Sequence, residues 1–238
     1  VSWNPLRLAW GLWVYLLVVP VVLLAALPIL ALPKLESRRA AAGAVCRAYF
    51  GLCGLPVRRL GLERLPGSAC VIVANHASYV DGPLLFALLP PRFGFVIKKE
   101  ASRLPVVGRL LHRLGHHFVE RQNRHEGGSD ARRILRALEQ GDAVAFFPEG
   151  TFHPGAGIAR FHGGAFALAA RTGSPVAPVV IRGTRDVLGG GRAWPRWGRI
   201  EVEVLPPLAA RMGSGDAAAE MRDAARAQIA AAAGEPLL

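Results

Sequence analysis

Apolar residues in this chain fall into one long run and a series of short ones. From Leu8 to Pro33 no residue carries a charge, and Arg7 and Lys34 bracket the run. As a straight helix it would be about 39 Å long, more than the roughly 30 Å of a bilayer's hydrocarbon core. Pro20 and Pro28 interrupt it, so the pattern fits either a kinked membrane span or a re-entrant helical hairpin. Trp3, Trp10, Trp13 and Tyr15 gather toward one end, as interfacial anchors do. A cleaved leader peptide is the competing reading. The apolar core of a leader is about 7–15 residues, shorter than this run, and no small-x-small site precedes Lys34. The pattern therefore predicts a retained transmembrane or re-entrant segment over residues 1–34 and one domain over residues 35–238.

Past Lys34 the runs shorten. The stretch Arg38–Leu62 mixes Ala, Leu and Phe with spaced arginines, reading either as an amphipathic helix on lipid headgroups or as an ordinary surface helix. Val71–Ala74, Phe93–Ile97, Phe118-Val119, Ala143–Phe147, Pro175–Ile181 and Ile200–Leu205 read as short buried strands. Between them, helical patterns cover Pro83–Leu89, a segment from Pro105 to a stop at Gly115, and a segment from a Ser129-Asp130 cap to about Gln140. Gly163–Arg171 and Ala217–Ala233 complete the set. Strands alternating with helices predict an α/β fold with a mixed, largely parallel sheet flanked by helices. Gly189–Gly191 and Gly213–Gly215 read as loops, since no phosphate-cradling strand-to-helix context surrounds them.

Composition narrows the setting. With 29 Lys+Arg against 17 Asp+Glu the formal charge is +12, yet 52% of residues are apolar. Basic and apolar together point to an anionic membrane surface, and no nucleic-acid-binding signature is present. Lys34, Arg38, Arg39 and Arg47 follow the apolar run closely, which by the positive-inside rule puts the domain on the cytoplasmic face of the cell membrane. Cys46, Cys53 and Cys70 are odd in number and lack ligand spacing, so neither a disulfide framework nor a metal site is expected. His112, His116, His117 and His125 have no coherent carboxylate or cysteine set beside them. No cofactor is expected.

The chemistry concentrates at the end of the first buried run. Val71–Ala74 delivers Asn75 and His76, and Asp81 follows five residues later. On a continuous helix that spacing puts two side chains about 140° apart, so the pair meets only if His76 sits in a turn and Asp81 at the start of the next element. Gly82-Pro83 after Asp81 supports such a start. A carboxylate beside an imidazole fixes its tautomer and makes it a competent general base. The plainer alternative is that Asp81 caps a helix and His76 is a satisfied turn residue.

Four blocks then stand in order: Asn75-His76-x-Ser78-x-x-Asp81, Gly115-x-x-Phe118-x-x-Arg121, Phe147-Pro-Glu-Gly-Thr151 and Val176-Ala-Pro-Val179. From about Leu65 to Ile181 this resembles the glycerolipid acyltransferase family, the 1-acylglycerol-3-phosphate (lysophospholipid) acyltransferases. The resemblance implies acyl transfer from acyl-CoA or acyl-carrier protein to a lysophospholipid, most simply 1-acylglycerol 3-phosphate. Glycerol 3-phosphate, a lyso-ornithine lipid and other lysophospholipids are the alternative acceptors. It implies His76 as base and Asp81 as its partner, with Arg121 binding the acceptor phosphate. Glu149, Gly150 and Thr151 would contact the acceptor, or Glu149 would hold an arginine, and Lys98 and Lys99 would assist or simply be solvated. Ser78 is the alternative nucleophile, although no nucleophile-elbow motif surrounds it. After Thr151 the family often shows arginine or serine, whereas Phe152-His153-Pro154 stands here, and His116 and His117 replace less polar residues. A catalytically silent, membrane-binding relative is the reading from a different class.

Overall fold

Residues 71–74 are fully buried on both sides, and that strand explains the layering. Ile72 and Ala74 enter one hydrophobic cluster while Val71 and Val73 enter another, the two-residue period of a strand covered on both faces. The computed structural model describes residues 4–120, 124–152, 155–209 and 215–238. In chain order its elements are α1 (Pro5–Ala31), α2 (Leu35–Leu52), β1 (Val57–Leu60), β2 (Val71–Ala74), α3 (Asp81–Leu88), β3 (Phe93–Lys98), α4 (Val107–Arg113) and β4 (His117–Val119). There follow α5 (Arg124–Glu139), β5 (Ala143–Phe146), α6 (Gly164–Thr172), β6 (Val176–Arg182), α7 (Thr184–Leu188), β7 (Ile200–Val204) and α8 (Gly215–Ala233). The sheet order is β1-β7-β6-β2-β5-β3-β4. Only β6–β7 is antiparallel among the described pairs. The expected mixed, largely parallel sheet between helices is what forms, with α2 and α3 on one face and α5, α6 and α8 on the other.

Three boundaries differ from the sequence expectation. The Arg38–Leu62 stretch is not one helix: α2 ends at Leu52, and Val57–Leu60 adds an edge strand beside β7. Helix α5 starts at Arg124, not at a Ser129-Asp130 cap. Asp130 lies inside it, where its carboxylate accepts the Glu120 N–H at 3.0 Å and pairs with Arg133, so its preference for a main-chain amide is met by tertiary contact. Thr184–Leu188 forms a short helix that the sequence pattern did not single out.

The long apolar run is one helix through both prolines. The hairpin lies between α1 and α2. Trp10 Nε1 donates to Cys53 O at 2.9 Å and Tyr49 OH to Val14 O at 3.2 Å, so the start of α1 meets the end of α2. At the other end Arg38 donates to Leu32 O and Pro33 O, and Arg113 to Leu30 O at 2.8 Å. These guanidinium groups cap carbonyls that the last turn of α1, which has no basic residue of its own, leaves open. Arg39 is buried and donates to the carbonyls of Leu114, Arg92 and Gly115, while Arg47 donates to Ala87 O. Three of the four cations that supported the orientation argument therefore bind the protein's own carbonyls.

One side of α1 packs on the domain, with Val14 and Ile29 buried. The other side exposes Leu12, Leu16, Val19, Leu23, Leu27 and Leu30, which recur at helical spacing as one stripe. A helix apolar all round thus has two apolar faces, and the protein covers only one.

Candidate active site

Strands β2 and β5 are parallel neighbours, with Val73 opposite Phe146. Asn75-His76 and Phe147-Pro148-Glu149 therefore leave the sheet side by side. The chain runs from β2 into α3 on one face and from β5 into α6 on the other. Diverging connections from adjacent strands open a crevice at their carboxyl ends.

Asp81 opens α3 and is fully buried. Its Oδ2 accepts the Ala77 N–H at 2.7 Å, the Ser78 N–H at 2.8 Å and the His76 Nδ1–H at 2.9 Å. The carboxylate thus caps the turn that carries His76, with Val80 as the helix N-cap. Because a carboxylate only accepts, the proton resides on Nδ1 and the Nε2 lone pair is left for other partners. Phe147 stacks on the imidazole with centroids 4.3 Å apart, and Phe152 meets it edge-on at 4.7 Å. Tyr79 in turn meets Phe152 at 4.7 Å.

Glu149 locks the other side of the turn. Its Oε1 accepts the His76 N–H at 2.7 Å and its Oε2 the Ala159 N–H at 2.8 Å. Burial pushes its pKa above the usual carboxylate value, and the amides of His76 and Ala159 oppose that shift. The carboxylate thereby joins three segments: the turn after β2, the turn after β5 and the 157–159 segment. Asn75 adds a further tie, donating from Nδ2 to Ile181 O at 2.9 Å and accepting the Ile181 N–H at 2.7 Å, which continues the β2–β6 ladder through a side chain. Sequence reasoning placed Asn75 in the motif without a role; its signal was an amide side chain directly after a buried strand. Ser78 is buried, and its hydroxyl donates to Leu188 O at 2.7 Å, an anchoring contact and not the setting of a nucleophile.

His76, Gly150 and Thr151 line one side of a cavity of about 720 Å³, with exposed Lys98 at its rim. Gly150 has φ +78°, a conformation that favours glycine. Lys99 follows in the short helical turn Lys99–Arg103 and is not among the lining residues. Arg121 lies outside the described residues. The rest of the lining is almost wholly apolar: Phe86, Phe95 and Ile97 from the domain, Leu104, Leu110 and Leu114 around α4, and Val21, Val22, Ala25 and Ile29 from α1. The volume falls within the roughly 300–1,000 Å³ of ordinary ligand sites. The sequence did not mark these α1 residues, because a lipid-facing side chain and a cavity-facing one have the same composition.

His116 is the polar exception deep in the wall. Its Nδ1 accepts the Phe95 N–H at 3.3 Å, and Phe86 and Phe95 meet the ring edge-on. Burial, with Arg39 and His117 adding to it, drives its pKa down to about 3, so the ring is neutral. Among the described residues no group of three or more histidine, cysteine or acidic side chains gathers as a metal set.

Comparison with known proteins agrees with this architecture. The chain is 30% identical over 172 residues to a 1-acyl-sn-glycerol-3-phosphate acyltransferase of Haemophilus influenzae, covering 70% of each. It is 34% identical over 133 residues to a chloroplastic 1-acyl-sn-glycerol-3-phosphate acyltransferase of Brassica napus, covering 55% of this chain and 38% of that protein. The chain thus spans well under half the length of the plant relative. The crystal structure of the 1-acyl-sn-glycerophosphate acyltransferase PlsC from Thermotoga maritima shares the fold with a TM-score of 0.80 at 22% identity, covering 96% of this chain and 95% of that one. A sequence model described as Acyltransferase matches residues 57–182, from the edge strand through β6 and across the whole crevice, and with that match the chain belongs to the acyltransferase family.

Proposed function

We propose that the protein moves an acyl chain from a thioester, acyl-CoA or acyl-carrier protein, to the free hydroxyl of a lysophospholipid, with 1-acylglycerol 3-phosphate as acceptor and phosphatidate as product. The observation that carries this reading is an apolar cavity with His76 in its wall and Asp81 buried behind it, bonded to the ring. His76 Nε2 takes the acceptor hydroxyl's proton as that oxygen attacks the thioester carbonyl carbon. The tetrahedral intermediate collapses, the carbon–sulfur bond breaks, and the departing thiolate takes the proton back from Nε2. Between the two transfers Asp81 stabilises the imidazolium and holds the ring in place. No acyl-enzyme forms, consistent with the anchoring contact of Ser78. Glu149 serves by fixing the His76 main chain. Gly150, Thr151, Lys98, Lys99 and Arg121 bind the acceptor headgroup, Arg121 through a two-pronged contact with phosphate.

The acyl chain occupies the cavity, and the α1–α2 hairpin lies within one leaflet on the cytoplasmic side of the cell membrane. Domain groups bond both ends of α1, Trp194 at Arg7 O and Arg113 at Leu30 O. A perpendicular crossing would drag those contacts through hydrocarbon, where unsatisfied polar groups are costly. A helix lying flat with its exposed stripe in the acyl region avoids this.

The test is acyl transfer by purified wild-type and His76→Ala protein, with labelled acyl-CoA and acyl-carrier protein each offered with lysophosphatidate, glycerol 3-phosphate, a lyso-ornithine lipid and other lysolipids. Phosphatidate formed by wild type and lost in a folded variant is the expected result. A different ester would reassign the acceptor, and no product from any pair would favour the silent, membrane-binding relative.

A further inference from the structure

The loop Gly189–Arg199, Gly-Gly-Gly-Arg-Ala-Trp-Pro-Arg-Trp-Gly-Arg, carries three arginines and two tryptophans and no acidic residue. Gly189 bridges Ser78, but no residue of the loop lines the cavity. Trp194 lies over Gly11 of α1, where a Cβ would come within 2.2 Å of the indole nitrogen. Its Nε1–H donates to Arg7 O at 3.3 Å, its ring meets Tyr15 at 5.7 Å, and Tyr15 OH donates to Ala193 O. Trp197 donates to Gly54 O at 2.8 Å and Trp13 to Leu52 O at 2.9 Å, yet the two residues are 57% and 47% exposed. Each of these indoles thus has its N–H satisfied by the protein while its ring remains outside. A Trp that is tied down at its polar end and bare at its apolar end suits the layer between headgroups and acyl chains.

The rim is also cationic. Arg7, Arg196 and Arg199 are exposed and Arg192 is half-buried, donating to Asp186 O at 3.1 Å. It adjoins the exposed apolar stripe of α1 at the helix's N-terminal end, whereas the cavity is walled by α1 residues 21–29. About 14 residues separate Gly11 from Ala25, on the order of 20 Å along the axis.

We propose that this rim is a second membrane contact, in which Arg192, Arg196 and Arg199 take the phosphodiester groups of an anionic leaflet and Trp194 and Trp197 settle at the glycerol level. The proposal rests on the reading that α1 lies in one leaflet, and it adds what sets the helix's tilt. A single flat helix leaves the domain free to rock. A basic, aromatic contact some distance from the cavity fixes that angle and keeps the cavity wall within the acyl layer. Each arginine near an anionic surface strengthens binding by about fivefold.

The experiment is flotation of the full chain with phosphatidylcholine vesicles, with or without phosphatidylglycerol, at low and high salt. Wild type is expected to bind neutral vesicles through the hairpin and anionic ones more tightly, the increment shrinking as salt rises. Arg192→Gln/Arg196→Gln/Arg199→Gln should lose the anionic increment, on the order of 10- to 100-fold, with neutral binding unchanged. Trp197→Phe should lower tryptophan quenching by bilayers carrying shallow brominated lipids. Anionic binding equal to wild type in the arginine variant, or quenching unaltered by Trp197→Phe, overturns the proposal. If the arginine variant keeps vesicle binding but loses turnover with acyl-carrier protein alone, the rim receives an acidic donor protein and the membrane assignment falls. Loss of neutral binding in wild type, with anionic binding retained, would overturn the hairpin reading and leave the rim standing.

Discussion

The crevice around His76 and the exposed face of α1 lie on either side of the α1 residues that wall the cavity, and they are built on different forces. In the crevice, Asp81 Oδ2 holds two main-chain amides and the imidazole, while Glu149 holds two amides from segments 73 and 10 residues away. These bonds are directional and mostly buried, so each removal strands a partner at about 1–3 kcal/mol. Along α1 the stripe from Leu12 to Leu30 has no such partners; its contribution scales with apolar area and tolerates exchange among similar side chains. The crevice should therefore respond to the loss of a single atom, and the stripe only to a change of character.

Substitutions at four positions probe that contrast, those read by turnover or partitioning taken from the largest expected effect. His76→Ala should lower kcat roughly 10²–10⁴-fold with folding unchanged by circular dichroism; a smaller loss would mean that another group takes the proton. Leu23→Asp, on the exposed stripe, should leave the melting temperature in detergent unchanged but weaken vesicle partitioning roughly 30- to 150-fold, whereas Leu23→Ile should change neither. Glu149→Gln presents an amide donor to one of two N–H groups, and should reduce kcat roughly tenfold with little change in KM, since it shifts the His76 main chain by the worth of one charged hydrogen bond. Loss confined to KM would instead mark Glu149 as an acceptor contact. The fourth change is read by acid stability, not by turnover or partitioning. His116 is neutral in the fold down to about pH 3, while in the unfolded chain it protonates below about 6.5. The unfolded state binds more protons in that window, so stability falls as pH drops from 6.5 toward 3. His116→Phe should reduce the difference in unfolding free energy between pH 7 and pH 4.5 by roughly 1–3 kcal/mol.

The same contrast explains what could be read from the sequence. Buried strands such as β2, β5 and β6 announce themselves as short apolar runs, because both faces are covered. The edge strand Val57–Leu60 does not: two of its four residues are exposed arginines, and on an edge they need no burial to be stable. The spacing of His76 and Asp81 correctly implied a turn followed by a helix start. The bond from the His76 amide to Glu149 spans 73 residues and depends on the β2–β5 register, which no local pattern encodes. Arg38, Arg39 and Arg47 resembled charges flanking a membrane segment, but their partners are carbonyls brought near only by folding.

One wall of the cavity is α1 itself, with Val21, Val22, Ala25 and Ile29 facing the space that His76 also lines. On the proposed reading, in which α1 lies in one leaflet, an acyl chain passing between bilayer and cavity there would exchange one hydrocarbon surrounding for another without entering water. Extracting about fifteen methylene groups into solution would cost on the order of 12 kcal/mol, at about 0.8 kcal/mol each. With that barrier bypassed, the proposed substrate's concentration would be counted per area of membrane, and turnover would follow the lateral density of the lipid, not its solubility.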